Sequence, residues 1–323
     1  MAELNCSEPI PIPDVQTFYA SLSTSQYILL TAGAGIATAV ITLGLVHLFH
    51  VWKYISDERI QTKLYFLSLL FPLLVTLSLA SMFSPRSNPI LTSIQVFYVQ
   101  FCMYTTVSLC RVIYGGRERM CSVLSEEKAV VNFQVPPCCC CMVCLPKPAP
   151  SERTLRILEC LSLQGAVVRA FIVILNCHFV SERPLETEHT LLITELSVIP
   201  SLLLALFGSH VIAKLTAPHI QQYKTVTMFR FADISLALFT AQLPLIFDLI
   251  LIKFGIITCG PVQSALGNAK YINSFVQICE VFLLSLLASW LLAPEKSALF
   301  DKYPHRQVQL SGTHEKMLPN EEL

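Results

Sequence analysis

Apolar residues gather along the chain into seven runs, at 27–51, 64–83, 90–113, 158–180, 191–212, 229–252 and 271–292, with polar connections between them. About 20 apolar residues in an α-helix cover the hydrocarbon thickness of a bilayer. Backbone groups surrounded by lipid must bond within their own segment, so each run is expected to be a helix and not a strand. The runs are not uniform. The third contains Gln95 and Gln100, and the fourth and sixth carry charges. The prediction is an all-α membrane protein with seven transmembrane helices. An N-terminal segment, 1–26, precedes the helical domain, 27–292; a long loop at 114–157 interrupts it, and a polar, proline-bearing tail, 293–323, follows it.

Composition agrees with this pattern. The 323 residues are 54% hydrophobic and only 14% charged, against roughly 25% charged in soluble domains. Net charge is zero, so there is no electrostatic footprint for nucleic acid. The distribution of charge says more than its sum. With seven spans, seventeen lysines and arginines fall on one set of connections and four (Arg86, Arg183, Lys253, Lys270) on the other; Arg169, in mid-span, completes the 22. Basic residues stay on the cytoplasmic face, which predicts an extracellular N-terminus and a cytoplasmic C-terminus. The first 26 residues show no charged stretch leading into a short apolar core, so no cleavable signal peptide is expected. Asn5-Cys6-Ser7 is an N-glycosylation sequon on the predicted outer side.

Cys138, Cys139, Cys140, Cys141 and Cys144 cluster in the long third connection, on the reducing side. Three readings stay open. Multiple S-acylation would bury each chain's CH2 groups at about 0.8 kcal/mol apiece and pin the loop to the inner leaflet. Unmodified thiols beside the Pro136-Pro137 turn are the bland alternative. A zinc site fits less well, because adjacent thiols cannot all face one ion and only Cys141 and Cys144 have C-x2-C spacing.

Polar residues inside the runs mark candidate sites, since ionisable groups at membrane depth need a partner or a cavity. Arg169 is central in span four and Glu280 in span seven. Helical spacing extends each into a stripe. Ser162, Arg169 and Asn176 recur at sevens, with Gln164 and the small Gly165 and Ala166 nearby. Asn273, Gln277 and Glu280 fall at i, i+4 and i+7. Asp233, Thr240 and Pro244 share a face in span six, with Gln242 beside them. One account pairs Arg169 with Glu280 as a packing device. The other makes Gln164, Arg169, Asn176, Asp233, Gln242, Asn273, Gln277 and Glu280 a substrate pathway in which Arg169 attracts an anionic group. Pro72 and Pro244 are expected to interrupt spans two and six. His47 and His50, closing span one at i, i+3, are read as interfacial anchors. Nothing in the sequence calls for a cofactor or a catalytic constellation, and no P-loop is present to power pumping.

Several motifs, in order, resemble the organic solute transporter alpha family. They are His50-x3-Tyr54, Pro72, Pro85-Arg86-Ser87, Gly115-Gly116-Arg117-Glu118, Pro136-Pro137 with the cysteine run, Gln164-x4-Arg169, Thr240-Ala241-Gln242-Leu243-Pro244 and Asn273-x6-Glu280. The resemblance covers about 27–292. Departures fall before the double glycine, where Arg111-Val112-Ile113-Tyr114 stands in place of an acidic neighbourhood, at Asp233, and at Arg169, where the family's transporter has lysine. The resemblance implies facilitated, bidirectional movement of amphipathic organic anions, such as bile acids or conjugated steroids, across the plasma membrane. It also implies a single-span beta subunit, and it leaves a homo-oligomer open. Two alternatives belong to other classes. One is a non-transporting membrane protein that affects trafficking or membrane composition. The other is a divergent seven-helix receptor, against which stand the missing Asp-Arg-Tyr triplet, the missing Asn-Pro-x-x-Tyr motif and the length of the third connection.

Overall fold

The computed structural model describes residues 13–136, 147–182, 187–260 and 263–304, with the side chains of 187–189 left out. Asn5, Cys138, Cys139, Cys140, Cys141, Cys144 and the tail beyond 304 therefore lie outside the described residues, and the glycosylation and acylation readings with them. Ten α-helices follow one another among the described residues: α1 Val15–Ser21, α2 Thr24–Tyr54, α3 Glu58–Ser68, α4 Leu70–Phe83, α5 Asn88–Ile113, α6 Arg117–Glu126, α7 Glu152–Glu182, α8 Thr187–Thr216, α9 Thr225–Gln242 and α10 Ala265–Leu291. Among the described residues, seven spans are long and apolar enough to cross a bilayer: Thr24–Tyr54, Glu58–Phe83, Pro85–Ile113, Glu152–Glu182, Thr190–Thr216, Thr225–Ile252 and Ala265–Leu291. They coincide with the seven predicted runs. All seven begin before their runs, and the first, fourth and fifth also end beyond them, because polar helix ends satisfy their backbone in the interfacial region and do not register as apolar.

Both prolines act where expected. Span two breaks at Leu69, between α3 and α4, three residues before Pro72. A proline lacks an N–H and crowds the preceding turn, and the Leu69 N–H is left to bond the Tyr65 and Leu67 carbonyls. Span six widens at Leu243, and Pro244 opens a π-helical stretch, Leu243–Ile252. Sequence reading missed α1, in the N-terminal segment, and α6, which opens the long loop.

The centre of the bundle is α5. It packs against α3, α4, α7, α8 and α9, and it is the most enclosed span. Enclosure explains how this helix tolerates glutamines: Gln95 donates to the Leu74 carbonyl (3.1 Å) and the Ser78 hydroxyl (2.8 Å) of α4. Small residues let neighbouring helices approach closely. A Cβ at Gly44 on α2 would lie 2.1 Å from Pro72 Cγ, and one at Gly165 on α7 would lie 2.5 Å from Ala205 Cβ on α8.

The two ends of the bundle differ. At the end rich in basic residues, Lys302 N donates to the Tyr54 carbonyl and Ala298 N to that of Gln222. There Gly115 and Gly116, at φ +79° and +125°, turn the chain sharply after α5, a conformation that needs no Cβ. The turn brings Arg117 onto Glu159 of α7 (2.6 Å), beside Arg111 (2.8 Å). The Glu159 carboxylate holds the Arg117 guanidinium above its ordinary range. Burial pushes the neighbouring Tyr114 phenol up to about 12. The arms of the long loop meet where Val131 N donates to the Pro148 carbonyl. At the opposite end, α1 closes on α10: Phe18 rests against the Tyr271 ring, whose hydroxyl donates to the Gln26 carbonyl.

Candidate functional site

The eight predicted pathway residues do not form one cluster. Three of them, Gln164, Arg169 and Asn176, line the seam between α7 and α8, whose short connection makes them antiparallel neighbours. Ser162 bonds Ser209 (2.7 Å). Two residues on, the Gln164 amide donates to the Ser201 carbonyl, and its oxygen accepts from the Ser201 hydroxyl, both at 2.9 Å. Arg169 Nη1 then meets Glu195 Oε2 at 2.5 Å. Asn176 donates to Ser93 of α5 (2.9 Å) and accepts from Thr194 (3.0 Å), while Ser93 also donates to Glu195 (3.2 Å). The Arg169 side chain is 5% exposed and that of Glu195 is 42% exposed.

The buried Arg169–Glu280 pair is therefore corrected: the partner of Arg169 is Glu195. The reason is helix placement. α7 is packed between α5 and α8, whereas α10 belongs to the other side of the bundle, against α2, α4 and α9. Equal depth does not make neighbours. Two buried side-chain atoms, Arg169 Nε on α7 and Gln100 Oε1 on α5, lack a partner, and the latter lies 3.5 Å from where a Gly165 Cβ would be.

The remaining five divide again. Glu280 accepts from the Gln242 amide at 2.7 Å, linking α10 to the end of α9. Asn273 and Gln277 are buried on the same helix, and the oxygens Asn273 Oδ1, Gln242 Oε1 and Glu280 Oε2 are unpartnered. Asp233 stands apart. It faces His210 of α8 (3.3 Å) and Arg230 (3.4 Å), nine residues and some 13 Å of helix from Gln242.

Sequence reasoning missed Glu195, Ser93, Thr194, Ser201 and His210. The signal for Glu195 was present: it is the one acid within 191–212, on the helix that the short connection forces beside span four. Among the described residues, no three His, Cys, Asp or Glu side chains are grouped to hold a metal.

A seven-span helical bundle with charge pairs and polar seams within it defines a polytopic membrane protein of the transporter or receptor kind. The comparisons give its family. The family model described as "Organic solute transporter Ostalpha" matches residues 28–297, and the chain belongs to that family. It is 38% identical over 299 residues to organic solute transporter alpha-like protein 3 of Caenorhabditis elegans, covering 93% of this chain and 86% of the relative. It is 27% identical to alpha-like protein 2 of the same organism, over 93% and 88% of the two chains. Alpha-like protein 1, also from Caenorhabditis elegans, is 30% identical over 91% and 76%. No solved structure matches.

Proposed function

We propose that this chain moves amphipathic organic anions of the bile-acid or conjugated-steroid kind across the plasma membrane, in either direction down their gradient, with its basic end in the cytoplasm. The observation that carries the reading is the state of Arg169. Its guanidinium is buried at mid-span, is held by one half-exposed carboxylate, and has its Nε donor unused. A guanidinium presents five donors in a fork that suits two acceptor oxygens. An incoming carboxylate or sulfonate approaches from the exposed side of Glu195, takes its place on the guanidinium, and engages the unused Nε donor as the second arm of the fork. The exchange keeps the buried cation neutralised throughout, which avoids the several kcal/mol of an uncompensated charge. The apolar body of the substrate lies along the leucine-rich faces of α7 and α8. Gln164 and Asn176 fix the register of the seam, and Gln242, Asn273, Gln277 and Glu280 line a second polar stretch on α10.

The test is uptake of a radiolabelled conjugated bile acid into vesicles, with and without a co-expressed single-span partner. Arg169→Ala is expected to abolish uptake at unchanged surface delivery, and Arg169→Lys to retain part of it. Unchanged uptake in Arg169→Ala removes Arg169 from the route.

A further inference from the structure

At the basic end, well away from the Arg169 seam, a cavity of about 280 Å³ opens among α2, α3, α4, α9 and α10, with the segment after α10 closing it at Phe300. That is just below the range of about 300–1,000 Å³ typical of small-molecule sites, with the mouth open to one side. Its walls are apolar, formed by Leu43, Leu70, Phe71, Met228, Phe231 and Phe300. Among the described residues lining it there is no acid, lysine or arginine; its polar groups are His47, His50, Ser68 and Ser289. Val46, also in the lining, is 45% exposed on the outer surface of α2, so the mouth faces the lipid.

The hydrogen bonds fix the chemistry of the polar wall. Ser289 Oγ spends its only proton on the Ser285 carbonyl (2.8 Å), because a carbonyl can only accept. With that proton given to Ser285, we assign the contact between His47 Nε2 and Ser289 Oγ, at 2.9 Å, as ring N–H to hydroxyl oxygen. With no acid in the lining to hold an imidazolium, the ring is neutral, and a neutral imidazole protonated at Nε2 carries its lone pair on Nδ1. His47 thus brings an acceptor, Nδ1, to a cavity whose described lining holds no cation. The cavity suits a hydroxyl and disfavours a carboxylate.

We propose that this cavity is a lateral site for a hydroxyl-headed amphipath of the bilayer, a sterol-type alcohol, which enters past Val46 and donates its hydroxyl to His47. The assignment of His47 as an interfacial anchor is extended to ligand binding. The site stands whether or not the Arg169 seam carries an anion.

The experiment uses the full chain in lipid nanodiscs with a photoreactive sterol alcohol, mapped by peptide mass spectrometry. Labelling is expected on 43–51 and 288–294. His47→Phe, which keeps the ring and loses the acceptor, should lower it at least tenfold. Ser289→Leu, which fills the cavity from its edge, should do the same while the protein elutes as a single folded species. Excess unlabelled alcohol should compete, and the matching 3-ketone should not. Labelling spread evenly over exposed faces such as that of Ile174, labelling unchanged in both variants, or better competition by a sterol-based carboxylate than by the alcohol would each overturn the proposal.

Discussion

Replacing Glu195 with glutamine tests the central pairing directly. The substitution keeps side-chain volume and an oxygen for Ser93, and removes only the charge facing Arg169. With charge centres about 4 Å apart and an effective dielectric near 20, the attraction is roughly 4 kcal/mol. Exposure of the Glu195 side chain, 42%, reduces that by screening. Loss of one partner of a buried pair destabilises by about 3–5 kcal/mol, and half-exposure places this pair below that range, at about 2 kcal/mol. The assay is a double-mutant cycle on Arg169→Met and Glu195→Gln, read by denaturant unfolding in bicelles. Each single substitution is expected to destabilise, and the double to lie about 2 kcal/mol short of the sum. A parallel cycle of Arg169→Met with Glu280→Gln should be additive within about 0.5 kcal/mol, as for separated sites. Additivity in the first cycle, or coupling of about 2 kcal/mol in the second, would refute the α7–α8 pairing and restore the α7–α10 one.

Two further outcomes follow from close contacts. Gly44→Val drives a side chain into Pro72, whose Cγ would lie 2.1 Å from the new Cβ. It should destabilise by about 1–3 kcal/mol through overpacking, with partial rescue by Pro72→Ala, while Gly35→Ala, with open space around it and a better helix former in place of glycine, should not lower the unfolding midpoint. Glu159→Gln leaves Arg111 and Arg117 facing each other without a shared carboxylate. It should loosen α6 by roughly 2 kcal/mol and speed tryptic cleavage after Arg119, whereas Glu118→Gln should not.

The candidate site was only half legible before the fold was known. The seven-residue recurrence of Ser162, Arg169 and Asn176 put them on one face of span four, and they do share the α7 seam. The same logic placed Asn273, Gln277 and Glu280 together on α10. Periodicity could not say what each face met. Asp233 and Gln242, grouped by their common span, face α8 and α10 respectively. His47 read as an anchor because its bond to Ser289 joins residues 242 apart in sequence.

The number, position and helicity of the spans were settled by the sequence alone. They depend on a local quantity, the apolar length a segment offers to lipid, and on backbone bonds made within that segment. The Gly115-Gly116 turn is of the same kind, since left-handed φ is a property of the residue occupying it. Which polar group neutralises which was decided only by tertiary structure. A side-chain pair requires two helices to be adjacent, rotated toward each other and in register, and only the close crossings at Gly44 and Gly165 and the central burial of α5 set those three variables together.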